Sequence, residues 1–226
     1  MVSTLATQIN YHPWAGVYHG LETGRETFTN VGIKVTKRCN LRCYHCDSYG
    51  GEDFSYENAV RILDKLAGGY VARLNFTGGE TLIFNGLESI LRYAGKLALP
   101  SGKKFSLTIT TNGLELDKYK AQMLSEYLDS IKISLFALGA NYGAVTGNSY
   151  GAYDRAIAGI GNAVSAGLPV HVQTSVLKEN YDCLVQMAQL LDDLGVAKFT
   201  IYSNIEQARG RTLPGEKRLF EEELRK

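Results

Sequence analysis

Three cysteines, Cys39, Cys43 and Cys46, fall within eight positions of the stretch "KVTKRCNLRCYHCDS" (34–48), and the chain has only one other, Cys183. Thiolates spaced C-x3-C-x2-C can wrap one metal centre from a single loop. Structural zinc sites want four protein ligands and usually draw them from two separated pairs. No second pair exists here, and His45 sits between Cys43 and Cys46, where a short loop makes tetrahedral closure awkward. A [4Fe–4S] cluster normally takes four thiolates as well. Three thiolates on one loop therefore point to a cluster with one iron left open, with zinc and incidental thiols as the alternatives that spacing alone leaves standing.

A second stretch, "NFTGGET" (75–81), bears on the choice. The pair Gly78-Gly79 removes side chains, so backbone groups can approach a ligand closely. Glu80 adds a fixed carboxylate able to pair with an ammonium group. Alone, Gly-Gly-Glu reads as an ordinary turn. Beside the cysteines, it describes an amino-acid-like ligand held next to an open iron.

Both motifs need elements to position them. Six strand-like runs, at 31–36, 72–77, 105–110, 130–136, 170–176 and 198–204, alternate with helical stretches near 56–67, 84–97, 116–127, 151–166 and 181–194. Ser55 precedes the first helix as a cap and Gly68-Gly69 ends it. The alternation predicts an α/β fold with a parallel sheet, wound open or curled into a partial barrel, with both motifs at the carboxyl ends of neighbouring strands. The strands themselves alternate: Ile33 and Val35 with Lys34, Ile131 and Ile133 with Lys132, Val170 and Val172 with His171 and Gln173, Phe199 and Ile201 with Tyr202. Strands covered by helices on both faces would read as continuous apolar runs. A curled sheet whose concave face lines a wet cavity accounts for one apolar and one polar face. Lys34, Asn75, Lys132, His171, Gln173 and Tyr202 are on this pattern the substrate-facing candidates.

Composition narrows the partners. The 226 residues are 45% hydrophobic and 21% charged, as expected of a soluble globular domain, and 24 basic against 23 acidic residues give no electrostatic case for nucleic acid or an acidic membrane. The start "MVSTLATQIN" has neither the basic nor the apolar region of a signal peptide. No apolar run approaches the roughly 18 residues of a spanning helix. The expectation is a cytoplasmic protein, where clustered cysteines more often mean metal than disulfide.

These residues carry a family resemblance. "CNLRCYHC" resembles the C-x3-C-x-aromatic-C motif of the radical S-adenosylmethionine (SAM) enzymes, with His45 in the aromatic slot, and "TGGE" resembles their glycine-rich motif. The similarity runs on through "TITTNG" (108–113), "IKISLFA" (131–137) and "VLKEN" (176–180) to "SNIEQARGR" (203–211), and is nearest to the branch of molybdenum-cofactor biosynthesis protein A and the SPASM-type maturases. It implies a partial (βα)6 TIM-like barrel with an open, polar concave face over residues 31–211, flanked by an N-terminal extension (1–30) and a C-terminal helical tail (212–226). It implies a [4Fe–4S] cluster on Cys39, Cys43 and Cys46, with SAM on the fourth iron. Gly78, Gly79 and Glu80 would hold the SAM ammonium, Asn112 and Ser134 would reach its ribose or carboxylate, and His45 its adenine; Asn112-Gly113 and Ser134 also read as a turn and a plain cavity residue.

The activity implied is reductive cleavage of SAM to a 5′-deoxyadenosyl radical, which abstracts hydrogen from a substrate, with a flavodoxin- or ferredoxin-type one-electron reductant as partner. A small polar metabolite is favoured as substrate over a precursor peptide. The rival from another class is a non-catalytic iron–sulfur or zinc protein. No cysteine follows Cys183, so the auxiliary-cluster cysteines of that branch are missing, and either one cluster suffices or the sequence belongs to a longer chain.

Overall fold

A computed structural model describes residues 29–46, 51–69, 71–147 and 151–202. Six strands, β1 (Thr29–Thr36), β2 (Val71–Gly78), β3 (Ser106–Thr111), β4 (Ser130–Ser134), β5 (Val170–Ser175) and β6 (Lys198–Tyr202), lie in one sheet in the order β1-β2-β3-β4-β5-β6. Every neighbouring pair is parallel. Consecutive parallel strands need crossovers, and helices supply them: α1 (Tyr56–Ala67), α2 (Leu87–Ala94), α3 (Lys118–Ser125), α4 (Ala140–Thr146), α5 (Ala152–Ser165) and α6 (Leu184–Asp193). Among the described residues β1 and β6 do not pair, so the sheet forms a partial (βα)6 barrel, open along one side.

The two-residue period of the strands decides what faces where. Ile33, Val35, Leu74, Phe76, Leu107, Ile109, Ile131, Ile133, Val170 and Val172 are buried against the helices and form the core. The residues between them stay half-buried or exposed on the other face. The strand alternation read from the sequence therefore holds from β1 to β5. On β6 it weakens: Phe199 packs against the core, but Ile201 is exposed. β6 is an edge strand, and Ile201 has no covering partner among the described residues.

Helix ends follow ordinary capping chemistry. Ser55 accepts from Asn58 N ahead of α1, with Glu57 in its first turn and Lys65 in its last. Asp117 accepts from Lys120 N ahead of α3. The boundaries expected for α1 and the structure agree. The second helix is shorter than the expected 84–97: it runs between Gly86 and Gly95, which cap it, and a separate 3-10 turn, Thr81–Ile83, capped by Glu80, precedes it. α4 was not anticipated at all: Gly143 lowers helix propensity inside it, and Gly147 (φ +66°) stops the helix after seven residues. β1 begins two residues before position 31, inside the expected N-terminal extension. The remainder of that extension, residues 203–211 and the expected tail (212–226) lie outside the described residues.

Candidate active site

The loop after β1 carries Cys39, Cys43 and Cys46, none of which is in a disulfide. It is anchored on two sides. Arg42 N donates to Thr146 O at 2.9 Å and Tyr44 N to Val145 O at 3.2 Å, tying the loop to the end of α4. Tyr44 Oη donates to Glu179 Oε2 at 2.6 Å, tying it to the segment after β5. At its base, Arg38 forms a forked pair with Asp53, whose Oδ1 also accepts from Thr36 Oγ1 at 2.6 Å.

The three cysteines line one cavity of about 280 Å³ at the carboxyl ends of the strands. Burial, then Cys46 and Cys39, push the Cys43 thiol up to about 12; burial also raises Cys39. Among the described residues no three Cys, His, Asp or Glu side chains are set to hold a single metal ion. Three thiols from one loop lining one cavity suit a cluster, in which each iron takes its own thiolate. The donor set therefore fits a [4Fe–4S] group.

Gly78 and Gly79 line the same cavity, but the space they leave is filled by protein. A Cβ on Gly78 would overlap Thr36 O, and one on Gly79 would overlap Arg38 O. Gly79 N donates to Thr36 O at 2.8 Å and Glu80 N to Arg38 O at 2.7 Å. The glycine pair lets the end of β2 press its backbone against the cysteine loop, where the sequence suggested close approach to a ligand.

Glu80 is 1% exposed and is not part of the cavity wall. Its Oε1 accepts from Leu82 N at 2.8 Å and from Thr111 Oγ1, and its Oε2 from Asn112 N at 2.7 Å. Burial raises its carboxyl above the ordinary range, against the pull of those donors. The carboxylate expected to meet an ammonium group accepts from three protein donors here and so pins the ends of β2 and β3 together behind the wall. Asn112 does line the cavity, yet its amide is engaged at both ends: Nδ2 donates to Asn40 Oδ1 at 2.7 Å, and Oδ1 accepts from Leu114 N at 3.0 Å. Gly113, at φ +79°, makes the turn that Asn112-Gly113 signals.

Ser134, Gln173 and Tyr202 also face the cavity, with Gln173 Nε2 donating to Ser134 Oγ at 3.2 Å. His45 lies edge-on to Phe136 at 4.4 Å between ring centroids, and burial lowers it to about 4, so it is neutral at pH 7. Its Nδ1 is buried with no partner among the described residues. Lys34, Asn75, Lys132 and His171 share the inward face without lining this cavity; Lys132 and His171 stand two residues before Ser134 and Gln173, which do. Lys132 pairs in register with Thr110 and His171, and His171 with Lys198. Asn75 is hydrogen-bonded to Thr110 Oγ1 at 3.1 Å. Cys183 is half-buried, its Sγ donating to Asn180 O at 3.3 Å, and does not reach the cavity.

Sequence reasoning passed over Asn180. It is fully buried, accepts from Leu177 N at 2.8 Å, and donates to Phe136 O at 2.7 Å and Ser175 O at 2.8 Å. It thereby fixes two stretches of cavity wall. It closes the stretch "VLKEN" (176–180), whose family likeness was the available signal. Lys198 and Arg73 were likewise missed, although both lie on the polar side of the strand alternation.

Parallel strands curled around a polar face, with a three-thiol loop at the carboxyl end of the first, define an α/β enzyme core of the barrel class. The chain belongs to the Radical SAM superfamily, which it matches over residues 33–191. Members of that family use a [4Fe–4S] cluster and SAM. The chain is 37% identical over 162 residues to a probable GTP 3′,8-cyclase of Archaeoglobus fulgidus, covering 69% of this chain and 51% of that protein. It is 30% identical over 188 residues to the pre-heme d1 synthase of Dinoroseobacter shibae, covering 80% and 45% respectively. It thus spans about half the length of the curated relatives it matches. In fold it is similar to Streptococcus suis SuiB bound to S-adenosylmethionine, with a TM-score of 0.67, 20% identity, and 82% of this chain and 43% of that one covered.

Proposed function

We propose that this chain is the catalytic core of a radical SAM enzyme acting on a small, anionic organic metabolite. The carrying observation is that the three thiols and the polar ends of β3 to β6 face one cavity. Cys39, Cys43 and Cys46 would hold the cluster. Backbone groups at Gly78 and Gly79, with Ser134 and the His45 ring, would hold SAM. What the cofactor pair supplies when bound is one-electron cleavage of SAM and hydrogen-atom abstraction from carbon. The protein orients the partners and keeps water out. Glu80 and Asn112 act indirectly, by fixing the cavity wall.

The substrate class follows from charge. None of the six strands carries an Asp or Glu on either face, while the inward face carries Lys132, His171 and Lys198, neighbours in register on β4, β5 and β6. Lys132 is lowered by burial and then by Lys198 and Arg73, so these cations share one region. A negatively charged substrate would relieve their repulsion. GTP, named for the Archaeoglobus fulgidus relative, is a molecule of this kind. A flavodoxin- or ferredoxin-type donor and a cytoplasmic setting complete the proposal, with residues 31–211 as the core. Among the described residues no helix is long and apolar enough to cross a membrane.

The test is anaerobic incubation of iron-reconstituted protein with SAM, a reductant, and a panel of nucleoside triphosphates, polycarboxylates and neutral peptides, reading 5′-deoxyadenosine. Stimulation by an anionic metabolite supports the proposal. Stimulation by neutral peptides alone overturns the substrate class.

A further inference from the structure

The register of β4 and β5 ends at Ser134 and Gln173, and just beyond it Leu135 N donates to Gln173 O at 3.0 Å. Two residues further along each strand stand Phe136 and Ser175, both on the wall of the thiol cavity. Their carbonyls cannot bond each other, since both are acceptors. Asn180 joins them. Its Nδ2 donates to Phe136 O at 2.7 Å and to Ser175 O at 2.8 Å, with Thr174 Oγ1 a third acceptor at 3.2 Å. Its Oδ1 accepts from Leu177 N at 2.8 Å. Two carbonyls and one N–H admit a single orientation of this amide. The side chain is fully buried and is not itself on the cavity wall. Few side chains could replace it: an ionised Asp has no donor, Leu has no polar atom, and Gln forces an extra methylene into a packed site.

The clasp also reaches the cysteine loop. Phe136, whose carbonyl Asn180 holds, packs its ring on His45 at 4.4 Å between centroids. Glu179, the residue before Asn180, accepts from Tyr44 Oη at 2.6 Å. Tyr44 and His45 are the two residues between Cys43 and Cys46.

We propose that Asn180 is a positioning residue for SAM: by clasping the ends of β4 and β5 it sets the side of the cavity where Ser134, Phe136 and His45 would receive the nucleoside. It acts through Phe136 and Ser175 and is not a catalytic residue. The inference rests on the reading of this cavity as the SAM site. A wall held in one arrangement binds without first having to select it. Losing the clasp therefore weakens affinity in proportion to the molecules that leave the competent shape.

The test uses reconstituted protein with its cluster oxidised, so that SAM binds without being cleaved, and reads the SAM dissociation constant by anaerobic equilibrium dialysis. Asn180→Asp keeps the shape and the acceptor for Leu177 N but sets an acceptor against both carbonyls. It should keep its iron and bind SAM about tenfold more weakly, the scale of two hydrogen bonds' net worth. Val172→Ala, on the helix-facing side of β5, should lower the melting temperature and leave SAM affinity at the wild-type value. In the wild type, hydrogen exchange at the Leu177 amide should slow when SAM is added, because a clasp that favours SAM is favoured by it in return. That measurement decides even where Asn180→Asp does not fold. Unchanged SAM affinity in Asn180→Asp, loss of its iron, an equal loss of affinity in Val172→Ala, or Leu177 exchange indifferent to SAM each overturns the clasp. Wild type that holds iron and binds no SAM strikes the reading of the cavity instead, and the clasp with it.

Discussion

Gly79 and Arg38 meet backbone to backbone: the space a Cβ on Gly79 would need is taken by Arg38 O, and Glu80 N donates to that same oxygen at 2.7 Å. The end of β2 is thereby stitched to the start of the cysteine loop. Gly79→Ala must push the loop away, an overpacking of the kind that costs about 1–3 kcal/mol. The expected outcome is a lower melting temperature together with reduced iron uptake on reconstitution. Normal melting and full iron content in Gly79→Ala would show that the contact does not shape the loop.

Glu80 carries the neighbouring prediction. Glu80→Ala strands Leu82 N, Asn112 N and the Thr111 hydroxyl in a buried place. The loss is expected to be on the order of 3 kcal/mol, or roughly 6–12 °C in melting temperature for a domain of this size. Glu80→Gln, which keeps an acceptor, should lose less. If Glu80→Ala melts like wild type but no longer binds SAM in an anaerobic titration, the carboxylate serves the ligand and not the wall.

The sequence made the sheet readable because each strand states its two faces by alternation, and the bounds of α1 because Ser55 and Gly68 punctuate them. The cysteine loop was readable because no ordinary turn needs three thiols. Gly78-Gly79-Glu80 was only half readable. Its residue types fit a ligand cradle and a tight backbone crossing equally well, and the crossing partner, Arg38, is some forty residues away in sequence. α4 was hidden because Gly143 lowers its helix propensity and only packing against the cysteine loop makes the helix form.

The inward cations make a prediction about pH. His171 is lowered by burial first, then by Lys198 and Lys132. Its folded pKa lies below its unfolded value near 6.5, so the unfolded chain binds the proton more readily in between. Stability should therefore rise with pH across that window and level off above it. Removing a facing cation in Lys198→Gln should move the His171 titration, followed by NMR of its ring protons, upward. An unmoved or lowered value would mean that Lys198 and His171 do not share one region.

Adjacent residues on β5 test the two faces. Val172 is fully buried against the helices, whereas His171 is half-buried on the inward side. Val172→Ala should cost about 2 kcal/mol in stability by denaturant melts. His171→Ala should leave stability nearly intact while weakening substrate-stimulated turnover relative to uncoupled SAM cleavage. The reverse pattern would place the substrate cavity on the wrong side of the sheet.

The assignment of the cluster and its open iron is tested most directly by 5′-deoxyadenosine formation, measured anaerobically beside iron and sulfide content, in the four single cysteine-to-alanine variants. Cys39, Cys43 and Cys46 share one cavity, and Cys183 lies away from it, held by Asn180 O. Cys39→Ala, Cys43→Ala and Cys46→Ala should each lose the cluster and all SAM cleavage, while Cys183→Ala keeps about four irons per chain and wild-type cleavage. Loss of iron and cleavage in Cys183→Ala, with any of the other three still active, would contradict a three-thiolate cluster holding its fourth iron open.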